Sequence, residues 1–192
     1  MVAVVKKEDP WLKLVHMKQF PLGTAYASVI GYIKVLCEKL QGVSRILVDQ
    51  TGVGEYIVED MISGGISGVE GVVLTVPKKQ EVLGNLKSAM ETGHCVKCGR
   101  SYPSVLETKQ CVECRDPEGK PVAVRPVLAI PYNPDLIAEL NVERFELTKS
   151  GQVQFSHPDG THDDRLWALA LAVYAARTAE VTMFGSAKKT FG

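Results

Sequence analysis

The chain has 192 residues, 45% hydrophobic and 23% charged, which is enough for one good core and a small added module. Its 22 basic and 22 acidic residues cancel, so any contact with nucleic acid rests on a local basic patch and not on global attraction. No apolar run is long enough to span a bilayer, and residues 1–5 are too short for a signal peptide. A cytoplasmic protein outside the membrane is expected. It has no Gly-x-x-x-x-Gly-Lys-Ser/Thr loop for a nucleoside triphosphate.

In chain order, residues 2–7 and 11–20 read as a β-hairpin. Leu12, Leu14, His16 and Phe20 are expected on one face of its second strand, Val15 and Met17 on the other. Apolar side chains on both faces suggest an interior strand. Thr24 is placed to cap a helix whose stripe is Tyr26, Val29, Ile30, Ile33, Leu36, Cys37 and Leu40, and Gly42 is placed to end it. Cys37 reads as a buried structural thiol. Residues 45–49 form a short apolar strand, 55–61 a short helix, 69–76 a strand ended by Pro77, and 79–92 a helix. Strand, helix, strand, helix predicts parallel pairing through crossovers. Lys78-Lys79 and Lys188-Lys189 read as solvated surface.

Residues 93–120 break the pattern. Cys95-x-x-Cys98 and Cys111-x-x-Cys114 are separated by twelve residues. Each pair can form a tight knuckle, and four thiolates converging on one ion give the closed coordination of structural zinc. Four of the five cysteines sit in these pairs, which argues for metal in a reducing compartment and against disulfides. Gly99 follows the first pair, where the turn needs a positive φ. His94 is an alternative ligand. Arg100, Lys109, Arg115 and Lys120 give the insert basic character, suited to DNA or a partner; a purely structural excursion fits equally. Beyond it, residues 122–130 resume a strand and 135–140 a short helix. Residues 144–148 and 152–156 form a hairpin turning at Lys149-Ser150-Gly151, and 163–178 form the last helix.

Two acidic motifs carry the chemistry. Val48-Asp49-Gln50-Thr51-Gly52-Val53-Gly54 puts a carboxylate at a strand end before a glycine-rich turn. Gly160-Thr161-His162-Asp163-Asp164 puts two carboxylates and an imidazole at a helix start. Each has a structural reading: an Asx turn at Asp49, and an acidic first turn that complements the helix dipole. Brought together, they would need a cation, because clustered carboxylates raise one another's pKa. Hard oxygen ligands suit Mg²⁺ or Mn²⁺, the ions of phosphodiester hydrolysis.

Val48 to Gly54, together with His162-Asp163-Asp164 and its alanine- and leucine-rich helix, resemble the C-terminal nuclease domain of the large terminase subunit, the DNA-packaging enzyme of tailed phages. Residues 128–131 and 136–140 fit the stretch before the final motif. The resemblance implies an α/β, ribonuclease-H-like mixed sheet flanked by helices over residues 1–92 and 121–192, with a small four-cysteine zinc-binding insert at 93–120. It implies a metal-dependent endonuclease acting on DNA, with Asp49, Asp163 and Asp164 holding Mg or Mn and His162 beside them. A packaging ATPase or portal-type protein would be a partner. The alternative is a non-catalytic, zinc-stabilised DNA- or protein-binding module.

One family feature has no counterpart here. The family's first strand carries a further metal-site aspartate; residues 1–7 look like its second strand and 11–20 like its third. Glu8 and Asp9 fall in a hairpin turn. Weak or absent activity is expected, whether from a decayed site or because a parent chain supplies the first strand. To fill the central position, residues 2–7 are expected to shift inward beside 45–49; the alternative is a strand from a second copy, making a homodimer.

Overall fold

The structure, a computed structural model, describes residues 1–52, 54–142, 144–147, 153–156 and 162–178. The turn at Lys149-Ser150-Gly151, Gly160-Thr161 of the second acidic motif, and Lys188-Lys189 lie outside them.

β1 (Val2–Glu8) and β2 (Trp11–Lys18) form the expected antiparallel hairpin. Its register shifts once: Val4 faces His16 but Val5 faces Leu14, leaving Val15 as the extra residue of a bulge. An extra residue reverses which face the following side chains take. Met17 therefore joins Ala3, Val5, Leu12 and Leu14 against the core, whereas alternation placed it opposite. His16 instead meets the helix α1 (Tyr26–Leu40), its Nε2 lying 2.7 Å from the Tyr32 hydroxyl. Phe20 packs edge-on against the same ring.

α1 does not begin at a Thr24 cap. Ala25 holds the N-cap position without a side-chain bond, and the Thr24 hydroxyl donates to the Pro21 carbonyl, closing the preceding turn. No residue of α1 is fully buried. Cys37 is half-buried, and that burial raises its thiol pKa.

β3 (Ile46–Asp49) and β4 (Val69–Val72) pair in parallel across α2 (Gly54–Ser63), the predicted crossover. Arg45 forks onto Glu70 with two bonds of 2.8 Å, fixing the start of the pair. β4 ends at Val72, earlier than periodicity suggests. Thr75 caps α3 (Val76–Glu91) by accepting from the Lys78 amide, and Pro77 fits the first turn, where no N–H is needed.

Residues 122–130 are two strands, not one. β5 (Gly93–Cys95), β6 (Ser101–Tyr102), β7 (Gln110–Arg115) and β8 (Pro121–Pro126) make a sheet of order β6-β5-β8-β7 around the cysteines. β9 (Leu128–Ala129) leaves it and pairs in parallel with β2, giving the order β1-β2-β9. Val127 makes the join: its amide donates to Thr92, and its carbonyl accepts from Leu12. At Gly93 a Cβ would lie 2.7 Å from the Val124 side chain at Cγ1 and 3.1 Å from the Arg125 carbonyl oxygen of β8.

α4 (Pro134–Val142), the hairpin β10 (Arg144–Leu147) and β11 (Val153–Ser156), and α5 (Asp164–Thr178) complete the chain. α5 is apolar nearly all round and packs on β1, β2, β3, α3 and α4. Its Leu169, Ala170, Val173 and Tyr174 form the main core with Leu12, Leu14, Val82, Leu86 and Leu136. A separate cluster joins Cys95, Cys111, Tyr102 and Val124.

The expected inward shift of residues 2–7 does not occur. Among the described residues β1 bonds only to β2, and β3 only to β4. β9 pairs with the other edge of β2, and among the described residues the second edge of β1 carries no ladder. The two strand groups share α5 without sharing a ladder.

Candidate metal centres

The cysteines converge. Cys95 ends β5, Cys98 lies in the following turn, and Cys111 and Cys114 sit on β7. Their four sulfurs all lie within 4.8 Å of one another, with Cys98 and Cys111 at 3.9 Å. A disulfide would bring two sulfurs to about 2 Å, and all five cysteines are free. Four sulfurs on one zinc are separated by roughly 3.8 Å, given Zn–S bonds of about 2.3 Å. The donor set and its spacing fit that ion.

The surrounding bonds favour thiolate. The Lys97 amide donates to Cys95 Sγ and the Cys114 amide to Cys111 Sγ, each at 3.4 Å. Gly99 takes φ 72°, and its amide closes the first knuckle on the Cys95 carbonyl. The Tyr102 hydroxyl donates to Cys111 Sγ at 3.2 Å and pulls that thiol down to about 6. The Cys98 amide bond likewise lowers Cys95. Cys114 is pushed up to about 12, first by its bond with the Cys98 sulfur and then by burial. The thiols thus ionise unequally, and a bound cation would have to displace the last protons. His94 is not among them: its Nδ1 lies 2.9 Å from the Gly99 carbonyl oxygen.

The acidic motifs are held differently. Asp49 ends β3, exposed, with Oδ1 accepting from the Thr51 amide at 2.9 Å in an Asx turn. Thr51 Oγ1 accepts from the Leu74 amide at 3.3 Å, and the Gln50 amide donates to Val72. The turn after Asp49 is thereby tied to the exit of β4. At α5, Asp163 Oδ2 accepts from Trp167 Nε1 at 2.8 Å, while its carbonyl accepts from the Trp167 amide. Asp164 opens the helix and is exposed, as is His162.

Both motifs lie at one end of the molecule. Arg45 Nη1 donates to Thr178 Oγ1 at 2.6 Å, placing the start of β3 against the end of α5. At the opposite end of α5, Lys79 of α3 sits over the Trp167 ring, and α3 begins just after the Leu74 contact with Thr51. β3 and α5 therefore run in opposite directions. Strand and helix rises put Asp49 about 13 Å from Arg45, and Asp164 about 21 Å from Thr178. Among the described residues the cysteines alone form a group of three or more ligands within 4.8 Å; Asp49, His162, Asp163 and Asp164 form none.

Glu139 was not legible as a contributor to this end. Buried on α4, it accepts from the Arg165 and Leu166 amides at 2.6 and 3.1 Å and from Arg165 Nη1 at 2.6 Å. It fills the open N-terminus of α5 from another helix. An acid inside a short apolar helix gives no local sign of this use.

The fold is a ribonuclease-H-like α/β arrangement bearing a four-cysteine cluster. No family model and no curated protein sequence matches the chain. Its fold matches solved structures of the large terminase nuclease from thermophilic phage G20c, at 18% identity and TM-score 0.58. The match covers 90% of this chain and 81% of that one. Two further structures of that nuclease, with bound cobalt and with bound magnesium, match at the same identity and score.

Proposed function

We propose that the chain is a metal-dependent endonuclease domain of the terminase type, hydrolysing DNA phosphodiesters. The observation that supports this is a fold match to a nuclease solved with cobalt and with magnesium, in a chain whose β3 start lies against the end of α5, so that Asp49 and Asp163-Asp164 sit at the other ends of those two elements. Residues 1–92 and 121–192 form the nuclease, and 93–120 are its zinc-bearing insert.

Asp49, Asp163 and Asp164 are the ligands proposed for Mg²⁺ or Mn²⁺, with His162 beside them. When bound, the ion supplies an activated water and stabilises charge on the scissile phosphate. Asp49 presents its carboxylate from a turn fixed to β4 through Thr51. Trp167 orients Asp163 through its indole N–H. Zinc at Cys95, Cys98, Cys111 and Cys114 has no open position, so its role is structural.

A plasmid-nicking assay with Mn²⁺ tests the proposal. Weak nicking is expected, because the family's first-strand aspartate has no assigned counterpart here; Asp49→Asn and Asp164→Asn should each abolish it. Robust cleavage surviving both substitutions would place the activity elsewhere. The second reading, a non-catalytic zinc-stabilised binding module, is favoured by the lack of a close carboxylate group among the described residues. DNA binding without any nicking would select it.

A further inference from the structure

The cations near the proposed site are not equivalent. Lys78 bonds Glu81 at 2.5 Å and the Tyr174 hydroxyl at 3.2 Å. Arg165 is held by Glu139, Asp135 and Gln19. Arg45 is held by Glu70. Lys79 differs: it is half-buried on the first turns of α3, and among the described residues no carboxylate pairs with it. Its ammonium lies over the Trp167 ring, 5.3 Å from the centroid. That indole donates to Asp163, so Lys79 stands one indole's width from a proposed metal ligand. On its other side, α3 follows directly from the segment tied to the Asp49 turn.

A lysine on an aromatic face is held by the ring's quadrupole and can still present N–H donors to a ligand. The arrangement stations a positive charge without consuming it, and a phosphate is the ligand that matches a compact ammonium. We infer that Lys79 contacts a backbone phosphate of the DNA strand, next to the one held at Asp49 and Asp163-Asp164. The contact reads charge and not sequence. This inference rests on the nuclease reading.

The test is fluorescence anisotropy of the full zinc-loaded chain with a short random-sequence duplex, over a series of salt concentrations. Ca²⁺ replaces Mg²⁺ to prevent cleavage. Each phosphate contact contributes about 0.9 to the slope of log K against log salt, or roughly eight-fold in affinity near 0.1 M salt. Lys79→Gln should lower the slope by about that amount, Lys79→Arg should retain it, and Lys39→Gln at the end of α1 should leave it unchanged. A Lys79→Gln slope equal to wild type, or a Lys39→Gln slope lowered as much, overturns the inference alone. Wild-type chain that binds no duplex at any salt overturns the nuclease reading with it.

Discussion

Removing the Glu139 side chain tests whether the start of α5 is held from α4. Glu139 is 5% exposed and accepts three bonds: two from the first-turn amides of α5 and one from Arg165. Glu139→Ala leaves those amides and one guanidinium arm without their partner. Removing one member of a buried ion pair costs about 3–5 kcal/mol. The lower end applies, because Arg165 keeps Asp135 at 3.0 Å and Gln19 at 2.6 Å. Glu139→Gln retains an oxygen for the amides and loses the charge, which should leave about half the loss. For a chain of this size, about 3 kcal/mol corresponds to a Tm lower by roughly 6–12 °C.

The assay is urea and thermal unfolding of zinc-loaded protein, comparing wild type, Glu139→Gln and Glu139→Ala. The order of stability should follow that sequence. An alanine variant within about 0.5 kcal/mol of wild type would place it among ordinary surface substitutions. A glutamine variant as unstable as alanine would assign the whole effect to charge, and the amide bonds would then contribute nothing.

Elemental analysis should give about one zinc per chain, and Cys98→Ser or a strong chelator should destabilise the cysteine sheet while the main core still unfolds near its normal temperature; disulfides among these cysteines in metal-free protein would contradict this. In reduced, metal-free protein the cluster makes stability depend on pH with a definite sign. The lowered Cys111 contributes stability that is fully present above the ordinary thiol value of 9.0 and lost as pH falls through about 6. The raised Cys114 contributes stability present below 9.0 and lost as pH climbs toward about 12. Denaturant unfolding should therefore show maximum stability near pH 9, and a flat profile from 6 to 9 would refute the Tyr102–Cys111 bond as its cause. Finally, amide hydrogen exchange should run faster in β3 than in β2, because β3 is paired along one edge only among the described residues; equal protection would mean that another segment covers it.

The features readable from the chain were those set by neighbouring residues. The first cysteine knuckle needs only a tight turn and a positive φ, both encoded within four positions of Cys95, at Gly99. The α2 crossover followed from periodicity and glycine placement. Features that depend on distant partners were not readable. The bulge at Val15 arises from pairing with β1, and it exchanged the faces of His16 and Met17. The division between β8 and β9 is a choice between two sheets, made at Val127 by bonds to Thr92 and Leu12. Periodicity sees one apolar run in both cases. At the acidic motifs the local readings hold: Asp49 makes its Asx turn and Asp163 accepts from the Trp167 indole.

α5 links these parts. Because β1 and β3 do not hydrogen-bond to each other among the described residues, the unity of the main core rests on what packs across both. α5 does so with Leu169, Ala170, Val173 and Tyr174, and its far end is fixed to Arg45. The same helix begins with Asp163 and Asp164, and that beginning is clamped by Glu139. A helix buried on nearly all sides cannot tilt without disturbing several contacts at once. The carboxylates at its start therefore inherit their position from the core. The alanine- and leucine-rich sequence after His162-Asp163-Asp164 thus sets where those acids stand, and Asp49 is fixed separately, through its turn's bonds to the exit of β4.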